Sequence, residues 1–148
     1  MQLRPATQAD VPRLSALVHA AYGHYVDRIG GPPRPMIDDY AEVVGSKQVT
    51  VAELGGEIAG LIVLEVTEEG LLIDNVAVDP ARQGSGVGRA LLEEAEVASR
   101  RAGFDSVHLY THEKMTENLA LYTRIGYVEY DRRAHGDDTL VYLRKDLG

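Results

Sequence analysis

The chain has 148 residues and a formal net charge of -8 at pH 7, with 15 lysines and arginines against 23 aspartates and glutamates. This length suits a single domain over residues 1–148, with about 70% of the unfolded surface buried on folding. The negative charge disfavours nucleic-acid binding, and the absence of cysteine excludes disulfides, thiolate metal sites and a cysteine nucleophile. No signal pattern and no apolar run of ~18 residues is present, so we expect a cytoplasmic protein without a membrane partner.

The N-terminal part predicts one short strand followed by helices. Residues 2–5 form the strand, and Thr7 with Asp10 three positions later is typical of a helix start. Apolar residues then recur on one face of the helix. They are Val11, Leu14, Leu17, Val18 and Ala21. Glycines and prolines in 30–35 exclude a regular element there, and a short helix is expected over 36–44.

From residue 48 the pattern changes to that of strands. Gly55-Gly56 predicts a hairpin and residues 67–70 predict a second turn, so three consecutive antiparallel strands should precede residue 79. An amphipathic helix follows the third strand after a short turn and ends at Gly103.

The C-terminal part predicts a strand over 106–111, a helix over 117–125 and a hairpin of strands 127–133 and 139–144. Because a helix connects the strand at 106–111 to the strand before it, the two should lie parallel. The predicted fold is therefore an α/β fold of the α+β type. It has a mixed, mostly antiparallel central sheet of about six or seven strands, flanked by about four helices.

A glycine-rich turn between a strand and a helix stands in the middle of the chain. Glycines at alternate positions from Gly84 remove the side chains that would keep a ligand from the backbone, and the helix start offers unpaired N–H groups and a positive dipole end. Such a turn suits phosphate. Counted from Gly84, the dinucleotide fingerprint and the Walker loop both fail, because Arg89 stands where each requires glycine. The spacing of Gln83, Gly86 and Gly88 matches the pattern Q/R-x-x-G-x-G/A instead.

A second pattern lies further along the chain. Asn118 and Tyr122 are four residues apart on a predicted helix, so their side chains share one face, and Gly126-Tyr127 follows. Together with the glycine-rich turn, this arrangement resembles the GCN5-related N-acetyltransferases, most specifically over residues 71–130. The resemblance implies the acyl-CoA N-acyltransferase fold of that family, with acetyl-CoA as the cosubstrate. It also implies that the turn grips the pyrophosphate, that Asn118 contacts the pantetheine arm and that the Tyr122 hydroxyl lies near the thioester sulfur.

The resemblance extends these expectations to a set of cofactor-binding residues. They are Val76, Ala77, Val78, Gln83, Gly84, Ser85, Gly86, Val87, Gly88, Arg89 and Asn118. The backbone N–H and C=O groups of the first three are expected, by the same resemblance, to hydrogen-bond the acetyl group and the pantetheine.

Acetyl transfer to an amine needs a proton donor for the leaving thiolate and a neutral amine. Tyr122 is the predicted general acid. Because a phenol pKa lies near 10 and a thiol pKa near 8.5, full proton transfer is uphill by about 2 kcal/mol, and hydrogen bonding to the developing charge should carry part of the effect. Asp74 is the first candidate for the base because it precedes the turn, with His112 and Glu113 in reserve. Strand alternation lets only one of Asp74 and Asn75 face the site, and a structurally paired carboxylate is the alternative.

The sequence thus predicts an N-acetyltransferase that moves an acetyl group from acetyl-CoA to a primary amine of a small molecule or a peptide by direct attack. The alternative is a catalytically silent coenzyme A-binding regulatory module. No metal is indicated, because His108 and His112 would stand ~13 Å apart on a strand. Side chains near the N-terminal helices could line an acceptor pocket that prefers cationic amines. They are Tyr22, Tyr25, Tyr40, Asp38 and Asp39. The acceptor and the oligomeric state, a homodimer included, stay open.

Overall fold

A computed structural model describes all 148 residues. Seven strands form a single sheet. They are β1 (Gln2–Pro5), β2 (Gln48–Leu54), β3 (Glu57–Thr67), β4 (Gly70–Val78), β5 (Ser106–His112), β6 (Val128–His135) and β7 (Asp138–Asp146). Six helices accompany the sheet. They are α1 (Val11–Tyr22), α2 (Val26–Ile29), α3 (Arg34–Ile37), α4 (Tyr40–Ser46), α5 (Val87–Arg101) and α6 (Thr116–Ile125).

The strands follow the order β1-β2-β3-β4-β5-β7-β6 across the sheet. Every neighbouring pair is antiparallel except β4 and β5, which run parallel because α5 connects them. The predicted mixed, mostly antiparallel sheet is therefore confirmed. Four helices have seven residues or more, and α2 and α3 are single turns of four residues.

The segment between α1 and β2 differs from the prediction. The helix expected over 36–44 is divided, because Asp38 and Asp39 have extended backbone; the first ends α3, and the second caps α4 by accepting the Ala41 N–H. A helical turn also forms inside the proline-rich segment, where Pro35 lies in the first turn and loses no intrahelical hydrogen bond.

Apolar clusters cover both faces of the sheet. Helices α5 and α6 pack on one face, with Leu91 and Ala95 among the fully buried side chains. Helices α1 and α4 cover the other face through Leu14, Leu17 and Val43. None of the helices combines the length and the apolar composition that crossing a bilayer requires.

Strands β4 and β5 are paired over only three residue pairs, of which Ile73 with Leu109 is the last. A β-bulge lies directly beyond them. In the β3–β4 ladder the partners of Ile73 and Asn75 are consecutive residues, so Asp74 is left over. From this bulge to Val78, β4 runs on without a partner on its β5 side, which leaves a gap between the two parallel strands.

The bulge also corrects the predicted alternation along β4. Ile73 packs in the α5 cluster, whereas Asn75 hydrogen-bonds Tyr22 and Tyr40 on the α1 side, and Val76 packs again on the α5 side. An extra residue in a strand of period two inverts the faces that follow it. Ile73 and Asn75 therefore do not share a face as the sequence pattern predicted.

Candidate active site

The glycine-rich turn places two glycines in the left-handed region. Gly84 has a φ of +84° and Gly86 a φ of +86°, a conformation that residues with a side chain rarely adopt. Gly86 forms the N-cap of α5, a helix of 15 residues. Ahead of it, Asp79 caps a short 3-10 turn by accepting the Ala81 N–H and forms an ion pair with Arg13. Asp79 thus anchors the chain just before the glycine-rich turn, and the turn itself is open.

Six backbone N–H groups of this turn donate to no acceptor in the protein. They belong to Gln83, Gly84, Gly86, Val87, Gly88 and Arg89. Ser85 is different, because its N–H lies 3.3 Å from the Arg82 carbonyl oxygen and its hydroxyl donates to the same oxygen. Unpaired N–H groups at a helix N-terminus favour an anion, since the helix dipole adds to their partial charges.

The open edge of β4 continues from this turn. The Asp79 N–H donates to Ala59 on β3, so alternation turns the Ala77 backbone toward β3 and that of Val76 and Val78 toward the gap. This limits the expected backbone contacts to Val76 and Val78. The Tyr22 hydroxyl lies 2.9 Å from the Val76 carbonyl oxygen and 2.7 Å from Asn75 Oδ1, so it occupies that carbonyl from the α1 side.

Tyr122 lies on α6 beside the same gap. Its side chain is 4% exposed, burial raises its pKa well above the ordinary value of 10.0, and its hydroxyl makes no hydrogen bond to the protein. Tyr127 packs against it edge-on, with ring centroids 5.7 Å apart. Asn118 lies one helical turn before Tyr122 and likewise has a side-chain amide without a protein partner. Two uncommitted polar groups therefore project from one face of α6.

Two cavities meet at this point of the sheet, and we name them for the roles that are proposed below. The larger, the donor cleft, has a volume of about 580 Å³ and is lined by the glycine-rich turn, β4 and α6. The smaller, the acceptor cavity, has a volume of about 380 Å³ and is lined by β4, β5, β7 and the proline-rich segment. The residues common to both are Tyr22, Val76, Asn118 and Tyr122. A molecule bound in one cavity can therefore contact a molecule bound in the other only beside Tyr122 and the open edge of β4.

Asp74 lines the acceptor cavity, but its carboxylate is already paired. Lys47 Nζ lies 3.2 Å from one oxygen and an Arg34 nitrogen lies 3.4 Å from the other, and the Asp74 side chain is only 7% exposed. The same arginine donates to the Asp74 carbonyl oxygen at 2.7 Å. The prediction that Asp74 is a free base is wrong, because Lys47 and Arg34 compete with an amine for its carboxylate. The structure gives Asp74 the paired role that the sequence left as the alternative.

The reserve candidates for the base are occupied as well. The His112 Nδ1 accepts the Lys114 N–H at 3.0 Å, and its Nε2 lies 2.9 Å from Asp138 Oδ1. With Nδ1 accepting, Nε2 carries the proton and donates to Asp138, so His112 has no lone pair to offer. Glu113 lies outside both cavities and pairs with Arg132 at 3.6 Å.

Of the five side chains predicted to line an acceptor pocket near the N-terminal helices, only Tyr22 lines the acceptor cavity. Tyr25 lines the donor cleft, and the Tyr40 hydroxyl is used in the core, where it donates to the Pro35 carbonyl and accepts from Asn75. Asp38 pairs with Arg34, and Asp39 serves as the cap of α4.

Sequence reasoning missed Arg34, Gly60 and Asp138. Only Gly60 had a local signal, because a glycine inside an apolar strand indicates a close approach by another element. A Cβ there would lie 2.7 Å from Val87 Cγ1 and 3.0 Å from the Ala77 carbonyl oxygen. Arg34 and Asp138 acquire their significance from partners that are distant in sequence.

The fold and the site define a class of protein. The site combines a turn that suits an anion, an open strand edge and a buried phenol that lines both cavities. This combination suits a group transferase whose donor is an extended molecule that carries phosphates. A family model described as an acetyltransferase (GNAT) domain matches residues 45–129, more than half of the chain, and the chain belongs to this family of acetyltransferases.

Individual relatives support the same assignment. A mycothiol acetyltransferase of Jonesia denitrificans is 34% identical over 89 residues, which are 59% of this chain and 28% of that protein. The uncharacterized N-acetyltransferase YvbK of Bacillus subtilis is 28% identical over 100 residues, which are 67% of this chain and 63% of that protein. The chain thus spans less than two thirds of the length of these curated relatives.

The fold is also found among solved structures. The PaiA N-acetyltransferase from Thermoplasma acidophilum, solved in complex with coenzyme A, has a TM-score of 0.79 to this chain over 98% of each chain, at 16% identity. At this identity the likeness concerns the fold.

Proposed function

We propose that this chain transfers an acetyl group from acetyl-CoA to a primary amine by direct attack, with Tyr122 as the general acid. The observation that carries the proposal is the position of Tyr122, which lines both the donor cleft and the acceptor cavity and whose hydroxyl makes no hydrogen bond to the protein. Acetyl-CoA supplies the activated thioester, and the amine nitrogen forms a bond to the acetyl carbon as the carbon–sulfur bond breaks. The nitrogen loses a proton to solvent as the amide forms, and solvent returns a proton to Tyr122 after it has protonated the leaving sulfur.

Donor binding in this proposal uses backbone groups. The six unpaired N–H groups between Gln83 and Arg89 hold the diphosphate, and the positive φ of Gly84 and Gly86 keeps that surface free of side chains. The open edge at Val76 and Val78 offers strand-like hydrogen bonds to the amide groups of the pantetheine arm. The side chain of Asn118 orients the same arm.

Tyr122 acts on the leaving sulfur. Burial raises the pKa of the phenol, so it is protonated at every pH near neutrality and remains a hydrogen-bond donor. The same burial raises the pKa of the leaving thiol, because both groups form an anion in the same poorly solvated space. Proton transfer from the phenol to the thiolate therefore costs less free energy than the raised phenol pKa alone would require. The donation accompanies the departure of sulfur.

The proposal assigns no side chain as direct base. Asp74 and His112 are both paired, so the ammonium proton leaves to water in the acceptor cavity before attack. At pH 7 this step costs about 4.6 kcal/mol for an alkyl amine and only about 1 kcal/mol for an α-amino group. Turnover should therefore rise as the pH approaches the pKa of the acceptor amine.

A matched pair of variants tests the proposal. Tyr122→Phe should lower kcat about a hundredfold for thiol release from acetyl-CoA with an amine panel, because it removes the proton donor and leaves the ring. Tyr127→Phe is the control, since Tyr127 is equally buried, packs against Tyr122 and has a hydroxyl without any partner. It should leave kcat unchanged.

The silent coenzyme A-binding module is the second candidate, favoured by the pairing of Asp74 and His112, the two predicted base candidates that line the acceptor cavity. It requires tight coenzyme A binding with no thiol release above the uncatalysed rate from any amine. Equal kcat values for the wild type and Tyr122→Phe would show that the phenol is not the general acid.

A further inference from the structure

The charges that line the acceptor cavity are unevenly paired. Its only arginine, Arg34, forms ion pairs with Asp38 and Asp74, Asp74 also pairs with Lys47, and no lysine lines the cavity. Asp138 is the remaining carboxylate on the cavity wall, and no lysine or arginine forms an ion pair with it. The cavity therefore has a satisfied cation at one side and an uncompensated anion at the other.

The one hydrogen-bond partner of Asp138 is the ring of His112. His112 is 8% exposed, and its Nδ1 accepts the Lys114 N–H, which leaves Nε2 as the donor. The ring donates from Nε2 to Asp138 Oδ1 and orients the carboxylate. The Asp138 side chain is 52% exposed and its second oxygen makes no hydrogen bond to the protein, so a ligand can reach it.

Part of the cavity lining is apolar. Leu109, Met115 and Leu140 line the cavity, as do Tyr110 and Tyr142, whose ring centroids lie 5.3 Å apart. Such side chains suit a hydrocarbon chain between two polar ends, because burying methylene groups against them is favourable.

We propose that Asp138 binds a second positive charge on the acceptor, so that the preferred substrate is a primary amine with another cationic group at the far end of an apolar chain. This proposal rests on the proposed function for the reacting end of the substrate. Strand β5 lies between β4 and β7, so the two nitrogens should be on the order of 10 Å apart, about two inter-strand spacings.

Paired acceptors test the proposal. An α,ω-diamine is compared with the ω-amino alcohol of the same length, which retains size and polarity but lacks the second charge. For the wild type, kcat/KM should be about tenfold higher for the diamine, the effect of one charge-assisted hydrogen bond. In Asp138→Asn this ratio should fall to about two, the statistical factor for an acceptor with two identical amines.

The neighbouring Asp137 provides the matched control. It is exposed, lies in the same turn, lines neither cavity and forms no ion pair, so Asp137→Asn makes the same change in net charge and should retain the preference. A wild type without preference, or an Asp138→Asn variant that keeps it or loses activity equally toward both acceptors, would overturn the proposal.

Binding measured by calorimetry separates the two proposals. If no acceptor releases thiol, yet the diamine binds about tenfold more weakly to Asp138→Asn than to the wild type, the proposed function fails and the cation site stands. If thiol is released but diamine binding is the same in both proteins, the cation site fails and the proposed function stands.

Discussion

Tyr122 shows how one residue combines stability with chemistry. Its ring is a buried member of the core cluster under α5 and α6, whereas its hydroxyl makes no hydrogen bond to the protein and the residue lines both cavities. Tyr127 has the same burial and also lacks a partner for its hydroxyl, but it lines neither cavity. Access from the cavities, rather than burial, therefore distinguishes the candidate acid from its neighbour.

The pH dependence of kcat/KM should report this difference. Burial raises the pKa of Tyr122 well above 10.0, so the phenol remains protonated as the pH rises. The rate should increase toward the pKa of the acceptor amine, about 10.4 for an alkyl amine, without a descending limb below about pH 10. The profile is measured between neutral and alkaline pH, with circular dichroism to confirm folding. A descending limb below pH 10 that disappears in Tyr122→Phe would contradict the raised pKa of Tyr122.

At the scale of elements, the contact between α5 and β3 sets the position of the glycine-rich turn. Gly60 lets the first turn of α5 approach the sheet, with Val87 and Leu91 directly above it. Because Gly86 begins this helix, the height of α5 above the sheet also decides where the unpaired N–H groups lie. A contact inside the core thus controls the geometry of an exposed binding surface.

Gly60→Ala should therefore affect stability and donor binding together. A Cβ at 2.7 Å from Val87 Cγ1 and 3.0 Å from Ala77 O forces α5 outward, at a cost of about 1–3 kcal/mol in unfolding free energy. Urea unfolding gives this value, and KM for acetyl-CoA should increase. Gly88→Ala is the stability control, since its Cβ would meet nothing nearer than Val78 Cγ2 at 3.5 Å. Equal unfolding free energies for wild type and Gly60→Ala would contradict the argument.

At the scale of the whole molecule, the gap between β4 and β5 makes the sheet functional. The donor cleft lies on the side of α5 and α6, and the acceptor cavity is bounded by the proline-rich segment and β7. The two strands pair at one end and separate at the Asp74 bulge, so under the proposed function the substrates would meet through the sheet instead of on its surface.

Ligand-induced stabilisation of the whole domain tests the donor site. Coenzyme A at a hundredfold excess over its Kd should stabilise the fold by about 2.7 kcal/mol and raise Tm by about 8 °C. Dephospho-coenzyme A, which retains the diphosphate, should act similarly. Pantetheine at the same concentration should cause a much smaller shift, because it cannot use the unpaired N–H groups of the turn. Equal shifts with pantetheine and coenzyme A would show that the turn does not hold the diphosphate.

Local patterns were sufficient to predict much of this protein. The left-handed glycines and the helix start at Gly86 are neighbours in sequence, and Asn118 and Tyr122 share a face because a helix repeats every 3.6 residues. The order of strands followed from turns and from the helical connection between β4 and β5. Each of these features depends on residues within a few positions of one another, or on a rule of chain connection.

Only the tertiary structure decided which titratable groups are free. Arg34 and Lys47 reach Asp74 from 40 and 27 residues away, and β-strand pairing brings Asp138 to His112 across 26 residues. The Asp74 bulge, which inverts the faces of β4, depends on the register with β3. Ion pairs, tautomers and strand register arise from contacts between distant segments, so composition and periodicity determined the scaffold and the donor turn, and packing determined the acceptor cavity.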